Sequence, residues 1–277
     1  MSPTLLHPPT PKSNCPTRGR DGFDVSARRR LERALRAAVR GEVRFDDGSR
    51  ALYATDASNY RQPPIGVVIP RDRDDIVATV RVCRDHDAPV LTRGGGTSLA
   101  GQCCNVAVVM DLSKYYHHIL EIDPDRRTVR VQPGIVLDRL QKAVAPHGLV
   151  FGPDPATHSH CTLGGMIGNN SCGVRSVMAA AQGTGARTSD NIESLEVLLY
   201  DGTILRVGPT TEDELEQTIR DGGRRGEIYS ALRALRTRYG DLVRQRYPKI
   251  PRRVSGYNLD DVLPENSTHL ARALAGS

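Results

Sequence analysis

The chain has no tryptophan, three phenylalanines and nine tyrosines, so aromatic residues make up 4% of its 277 positions and any core must rest on Val, Leu, Ile and Ala. No apolar run approaches the roughly 18 residues that a transmembrane helix requires. The six cysteines, Cys15, Cys83, Cys103, Cys104, Cys161 and Cys172, contain no Cys-x-x-Cys. That excludes the usual spacing of zinc and iron–sulfur ligands within this segment, and no metal site is expected. The start, Met1 to Arg20, is rich in Pro, Thr and Ser but has no apolar h-region, so it reads as a disordered tail over residues 1–24 rather than a secretory signal. With the adjacent Cys103-Cys104, this favours reduced thiols and a cytoplasmic setting. Two common nucleotide signatures are also missing. No Gly-x-Gly-x-x-Gly opens a helix, and no Gly-x-x-x-x-Gly-Lys-Ser/Thr occurs.

What the chain does have is glycine in two clusters. Pro89 to Gln102 reads Pro-Val-Leu-Thr-Arg-Gly-Gly-Gly-Thr-Ser-Leu-Ala-Gly-Gln, a short apolar strand followed by three consecutive glycines. Without a Cβ, Gly94, Gly95 and Gly96 let the backbone adopt positive φ and approach a ligand closely. Successive N–H groups turned one way form a nest for a phosphate or pyrophosphate. One such turn is weak evidence, because a plain turn has the same composition. A second stretch runs from Pro153 to Gly173, with Gly164, Gly165 and Gly168 followed by Asn169, Asn170 and Ser171 as side-chain donors and acceptors. Gly183-Thr184-Gly185 and Asp190-Asn191-Ile192 come next, just before a strand. Two such loops fit a large ligand with a diphosphate waist.

The surrounding pattern is α+β. Strands are expected at 66–69, 90–92, 106–110, 119–122 and 128–131, with a hairpin at 195–200 and 203–207 about Asp201-Gly202. Helices are expected from an Asp72 cap to His86, at 135–145, at 212–221 and at 227–247. The net charge is +6, and Arg28, Arg29, Arg30, Arg33, Arg36 and Arg40 lie on an amphipathic helix with Leu31, Ala34, Leu35 and Ala38 on its other face. A solvated basic face explains them. Nucleic-acid binding finds no support, since zinc-finger and RNP-type patterns and interleaved aromatics are absent.

The segments Arg93-Gly-Gly-Gly-Thr-Ser-Leu-Ala-Gly-Gln102, Pro153-Asp-Pro-Ala-Thr157 and Leu163-Gly-Gly-Met-Ile-Gly-Asn-Asn170 resemble the FAD-binding domain of the FAD-linked oxidases, the vanillyl-alcohol oxidase superfamily. Within it, the chain is similar to the D-2-hydroxyacid dehydrogenase branch (D-lactate, glycolate and D-2-hydroxyglutarate dehydrogenases). Pro251-Arg-Arg-Val-Ser-Gly-Tyr-Asn-Leu259 is similar to large bacterial members that carry an iron–sulfur module. The resemblance covers residues 45 to 277. It implies a PCMH-type FAD-binding domain of two mixed α/β lobes with FAD in the cleft. Residues 25–62 would be an N-terminal helix and lead-in, 63–130 the first lobe, and 131–277 an incomplete second lobe. It also implies that the chain is a C-terminally truncated piece, since the family continues past Ser277 into further strands, a cap domain and, in large members, iron–sulfur segments.

The resemblance further implies site roles. Arg93, Gly94, Gly95, Gly96, Thr97 and Ser98 would serve the FAD pyrophosphate, with Gly101 and Gln102 ending the loop. Pro133 and Gly134 would turn the chain at the cleft, and Pro155, Ala156 and Thr157 would pack by the isoalloxazine edge. Gly164, Gly165, Gly168, Asn170 and Ser171 would lie along the ribityl–diphosphate region, and Asp190 and Ile192 by the adenosine. Thr97 stands where members with a histidyl link carry His, so noncovalent FAD is expected. Arg252, Arg253 and Ser255 are the candidates for the substrate carboxylate, which a guanidinium fork suits. The implied reaction is hydride transfer from a D-2-hydroxyacid to flavin N5, giving a 2-oxoacid. Electrons would pass to an iron–sulfur module, quinone or cytochrome outside this segment, and the protein would be cytoplasmic or peripheral at the inner membrane. The family's base and metal ligands lie beyond Ser277, so no catalytic residue is assigned and the piece alone is expected to turn over little. Two alternatives remain, an oxidase of another alcohol or a sugar on the same domain, and an inactive fragment.

Overall fold

The computed structural model of the chain describes residues 23–174, 176–181, 185–250, 252–254 and 256–276. Most of the expected tail, Cys15, Gly183, Thr184, Pro251 and Ser255 lie outside them. The elements in chain order are α1 (Val25–Ala38), β1 (Glu42–Arg44), α2 (Asp47–Leu52), β2 (Gly66–Ile69), α3 (Arg73–Asp85), β3 (Val90–Arg93), β4 (Val108–Asp111), β5 (Ile119–Asp123) and β6 (Thr128–Val131). They continue with α4 (Leu137–Val144), α5 (Leu163–Asn169), α6 (Ser176–Ala181), β7 (Leu195–Leu198), β8 (Ile204–Val207), α7 (Glu212–Asp221), α8 (Gly223–Arg246) and α9 (Leu270–Ala273).

The first half is built on one sheet, ordered β1-β2-β4-β3. β2, β3 and β4 are parallel, and β1 joins antiparallel at one edge. Every residue of β2 and β4 is buried, as central strands covered on both faces require. On one face α1 and α3 supply Leu31, Leu35, Val39 and Cys83, which pack with Val43, Phe45, Val68 and Val108. Tyr53, Leu91 and Tyr115 cover Val67, Ile69 and Val109 on the other. Burial pushes the Cys83 thiol up to about 12, so it behaves as a small apolar residue.

Local signals explain the helices. The Asp72 carboxylate accepts the Asp75 N–H at the start of α3, and Asp75, itself buried, accepts the N–H groups of Arg40 and Arg71. That one carboxylate therefore ties α1's exit and β2's exit to α3. Of the basic run, Arg29, Arg30, Arg33 and Arg36 on α1 are exposed, as is Arg40, which lies past the helix end and not on it as expected, while Leu31, Leu35 and the capping Val39 are buried. Ala38, placed by periodicity on the inner face, is exposed. α7 opens with a reciprocal Thr211–Glu214 capping box.

The second half has two cores. The hairpin β5–β6 contributes Ile119, Val129 and Val131 to a cluster with Ile135, Leu137, Leu140, Cys161, Leu163 and Met166 from around α4 and α5. The hairpin β7–β8 packs with α7, α8 and α9 through Leu205, Val207, Leu215, Tyr229 and Leu270. On packing, β5–β6 sides with α4 and α5, so we propose that the second lobe begins before Ile119 and not at Val131. By the same criterion we would count α1 and β1, expected as a lead-in, with the first lobe, since β1 pairs with β2 and α1 packs on the same sheet. The halves meet through polar contacts. Arg84 donates to the Asp201 carbonyl at 2.7 Å, the Tyr200 hydroxyl to the Ala88 carbonyl at 2.9 Å, and Arg73 pairs with Glu196 at 3.0 Å.

Candidate functional site

In an open sheet with parallel strands, ligands bind beyond the carboxyl ends of the strands. The first glycine loop leaves the sheet at that end of β3, directly after Arg93. Gly96 and Gly101 take φ of +65° and +78°. Among the described residues, the N–H groups of Gly95, Gly96, Thr97 and Ser98 have no hydrogen-bond acceptor. Four consecutive amides without a partner in a half-exposed loop leave a run of backbone donors available to an anion.

The second glycine segment lies against the first. A Cβ on Gly94 would stand 2.0 Å from the Thr162 hydroxyl, and one on Gly95 would stand 2.2 Å from the His160 carbonyl oxygen. Pro133 and Gly134 join the same junction. Gly164 donates to the Pro133 carbonyl, and a Cβ on Gly134 would lie 2.0 Å from the Leu112 carbonyl oxygen. Glycine is used at these positions because the chains touch there.

Gly165 and Gly168 differ. The sequence suggested a loop here, and the structure has α5. Leu163 and Met166, three apart, are buried and anchor one face, while Gly165, Gly168 and Asn169 are exposed on another. A Cβ on Gly168 would meet nothing within 4 Å, and one on Gly165 only the Thr162 hydroxyl at 3.5 Å. The Gly165 N–H also has no acceptor among the described residues. No packing demand accounts for glycine at 168, so an open cradle beside the amide nest is the feature that fits a large phosphorylated ligand.

Other expected residues are placed differently. Arg93 folds under its own loop, with its guanidinium over the Tyr53 ring at 5.3 Å and a Cβ on Gly96 falling 2.6 Å from its Nη2. It positions the loop. Gln102 is exposed and accepts the Ala100 N–H. Ser98 Oγ sits 3.3 Å from Cys103 Sγ, and burial together with the Asp56 carboxylate pushes the neighbouring Cys104 thiol up, keeping it protonated. Pro155, Ala156 and Thr157 form a turn whose carbonyls accept the N–H groups of His158, His160 and Cys161, and its leading Asp154 packs on Gly173.

Four expected site residues also have partners within the protein. Asn170 is fully buried; it caps α5 with φ of +45°, and its Oδ1 accepts the Ser189 N–H at 2.9 Å. The Gly276 N–H closes over it by donating to the Ile167 carbonyl, so Asn170 braces the loops, while its Nδ2 is buried without a partner among the described residues. Asp190 gives both carboxylate oxygens to Arg187, whose pair is the reason Gly185 lacks room for a Cβ. Ile192 points into the core, and its N–H is spent on the Ser189 carbonyl. Neither presents a free donor to an adenosine. Arg253 is a half-buried ion-pair partner, with a side chain 12% exposed, 2.6 Å from Asp260 and stacked on Tyr247. Ser171 is half-buried, its carbonyl held by Thr188, and Arg252 is exposed. Ser255 lies outside the described residues.

With this geometry in place, comparison with known proteins is decisive. The sequence profile of a family described as "FAD binding domain" matches residues 64–208, which hold both glycine segments and the junction between them. The chain belongs to this FAD-binding family. It is 35% identical over 232 residues to the D-2-hydroxyglutarate dehydrogenase of Pseudomonas putida, covering 83% of this chain and 22% of that protein. It is 36% identical over 174 residues to glycolate oxidase subunit GlcD of Bacillus subtilis, covering 61% and 36%. The chain thus spans about a fifth to a third of the length of these relatives. A solved structure of p-cresol methylhydroxylase superposes with a TM-score of 0.57 at 18% identity, over 68% of this chain and 36% of that one. The fold is therefore the mixed α/β, PCMH-type FAD-binding domain. Among the described residues no helix is long and apolar enough to cross a membrane, and no cluster of metal-ligating side chains occurs.

Proposed function

We propose that this chain is the FAD-holding part of a dehydrogenase that oxidises a D-2-hydroxyacid to the 2-oxoacid. The observation that carries the reading is the nest of free amides at Gly95 to Ser98 lying beside the bare Gly165–Gly168 face of α5. The amides would hold the cofactor's diphosphate, and the glycine face would admit its ribityl chain without a Cβ in the way. Bound FAD supplies the hydride acceptor. The chain's own residues bind and orient: Gly94 and Gly95 lock the first loop to the segment before α5, Arg93 and Tyr53 hold it from below, and Asn170 braces the exit of α5.

The hydroxyacid substrate rests on the relatives' names and on 30–36% identity to them. Noncovalent binding follows from Thr97 at the position where histidyl-linked members carry His. The free cysteines support a cytoplasmic setting. The chain alone would hold FAD and turn over little. An electron acceptor and the residues that grip the substrate would come from other parts of a protein of the relatives' length. Flavin bleaching without oxygen tests the reading, using a full-length polypeptide that contains this chain. D-2-hydroxyglutarate, D-lactate or glycolate should bleach it, and sugars and phenols should not. Bleaching by a sugar or phenol alone would replace the reading with that of another oxidase on the same domain.

A further inference from the structure

A cavity of about 430 Å³ opens between β8 and the start of α7, lined by Ser194, Arg206, Thr210, Gln217, Thr218 and Arg225 above a floor of Val207 and Tyr229. Its volume falls in the range of small-molecule sites. None of these residues belongs to the glycine-rich loops. Two guanidinium groups, Arg206 and Arg225, reach the cavity, and among the described residues neither has a carboxylate within 4 Å.

That lack of partners is specific. Glu196 stands opposite Arg206 in the β7–β8 ladder, where an ion pair would be ordinary, but its carboxylate goes to Arg73 at 3.0 Å. Arg224, next to Arg225, bridges Asp201 and Glu227, whereas Arg225 turns over the Tyr229 ring at 5.4 Å. Glu214, the acid on the cavity wall, commits one oxygen to the Thr211 N–H and hydroxyl. Hydrogen bonds from Thr211, and to a lesser degree the Arg225 charge, hold its pKa below the usual carboxylate range. The cavity therefore sets two guanidinium groups that make no ion-pair contact within 4 Å, Arg225 in the field of Glu214 and Arg206 with no such neighbour on the cavity wall, beside Ser194, Thr210 and Thr218, a donor-rich set that suits a phosphate or carboxylate.

We propose that this cavity is a second ligand site, for a small dianion of the phosphate or dicarboxylate type held between Arg206 and Arg225. The test is calorimetric titration of the protein with inorganic phosphate and, separately, succinate, in chloride buffer of matched ionic strength. At least one of them should bind, and which one does identifies the class. Arg206→Gln and Arg225→Gln should each weaken binding about tenfold, the effect of losing one charge-assisted hydrogen bond. No binding above the chloride background overturns the proposal. So does unchanged binding in the double variant, which would put the anion in the Gly95–Ser98 nest instead. Should the variants fail to fold, amide shifts in the wild-type protein decide. Movement at Thr210, Thr218 and Arg225 supports the site, and movement confined to Gly95–Ser98 refutes it.

Discussion

Replacing Gly168 by alanine separates packing from ligand binding, because the two effects have opposite signs. Gly168 lies inside α5, and a Cβ there meets nothing within 4 Å. Alanine in a helix interior is favoured over glycine by about 0.5–1 kcal/mol, so the ligand-free variant should be more stable. For a domain of this size that corresponds to a rise in Tm of about 1–4 °C. The same methyl group projects into the cradle. If FAD lies there, overpacking costs about 1–3 kcal/mol of binding, which is about five- to 150-fold in Kd. Scanning fluorimetry without ligand and quenching of flavin fluorescence on titration measure the two effects in one preparation. A Tm that rises with FAD affinity unchanged would show that the face of α5 does not border the cofactor. A Tm that falls would show that Gly168 answers a packing need that the structure does not contain.

Three further outcomes rest on named contacts. Gly95→Ala places a methyl 2.2 Å from the His160 carbonyl oxygen, which is backbone and yields poorly, so it should lower stability by about 1–3 kcal/mol in urea melts and weaken FAD together. Asp190→Ala should destabilise the chain by about 1–3 kcal/mol by stranding the half-buried Arg187, yet leave FAD affinity unchanged once the protein is folded; a large loss of FAD affinity at wild-type stability would restore the adenosine role. Burial and the adjacent Asp260 raise Asp261 from 3.8 to about 6. The folded state thus favours the neutral acid, and stability from this group is present below the unfolded value and lost as pH rises through about 6. Asp261→Asn should therefore raise Tm at pH 7.5 and change it little near pH 4; an equal gain at both would show that the charge is not the cause.

Much of the scaffold is legible from local signals. Asp72 and Asp201-Gly202 mark α3 and the β7–β8 hairpin because capping and turn chemistry act within a few residues. β1 escapes a sequence reading because three residues with one buried side chain carry no period, and only pairing with β2 makes them a strand. α5 reads as loop because three glycines in seven residues oppose a helix by propensity. Burial of Leu163 and Met166 overrides that, and the mismatch itself marks the candidate site, where local preference yields to function. Asn170, Asp190 and Arg253 have partners in the fold that the sequence does not reveal, for one reason. A polar residue near a ligand loop reads the same in sequence whether it faces the ligand or a partner such as Ser189, Arg187 or Asp260.

The central claim is that the two glycine segments of this chain together form a noncovalent FAD site. Mixing the purified chain with FAD, desalting it and recording its absorption tests this most directly. The account predicts retained flavin bands that leave with the supernatant on acid precipitation, and a Gly95→Ala variant that comes through colourless. A wild-type chain that loses its flavin on desalting, or flavin that stays with the precipitated protein, would contradict it.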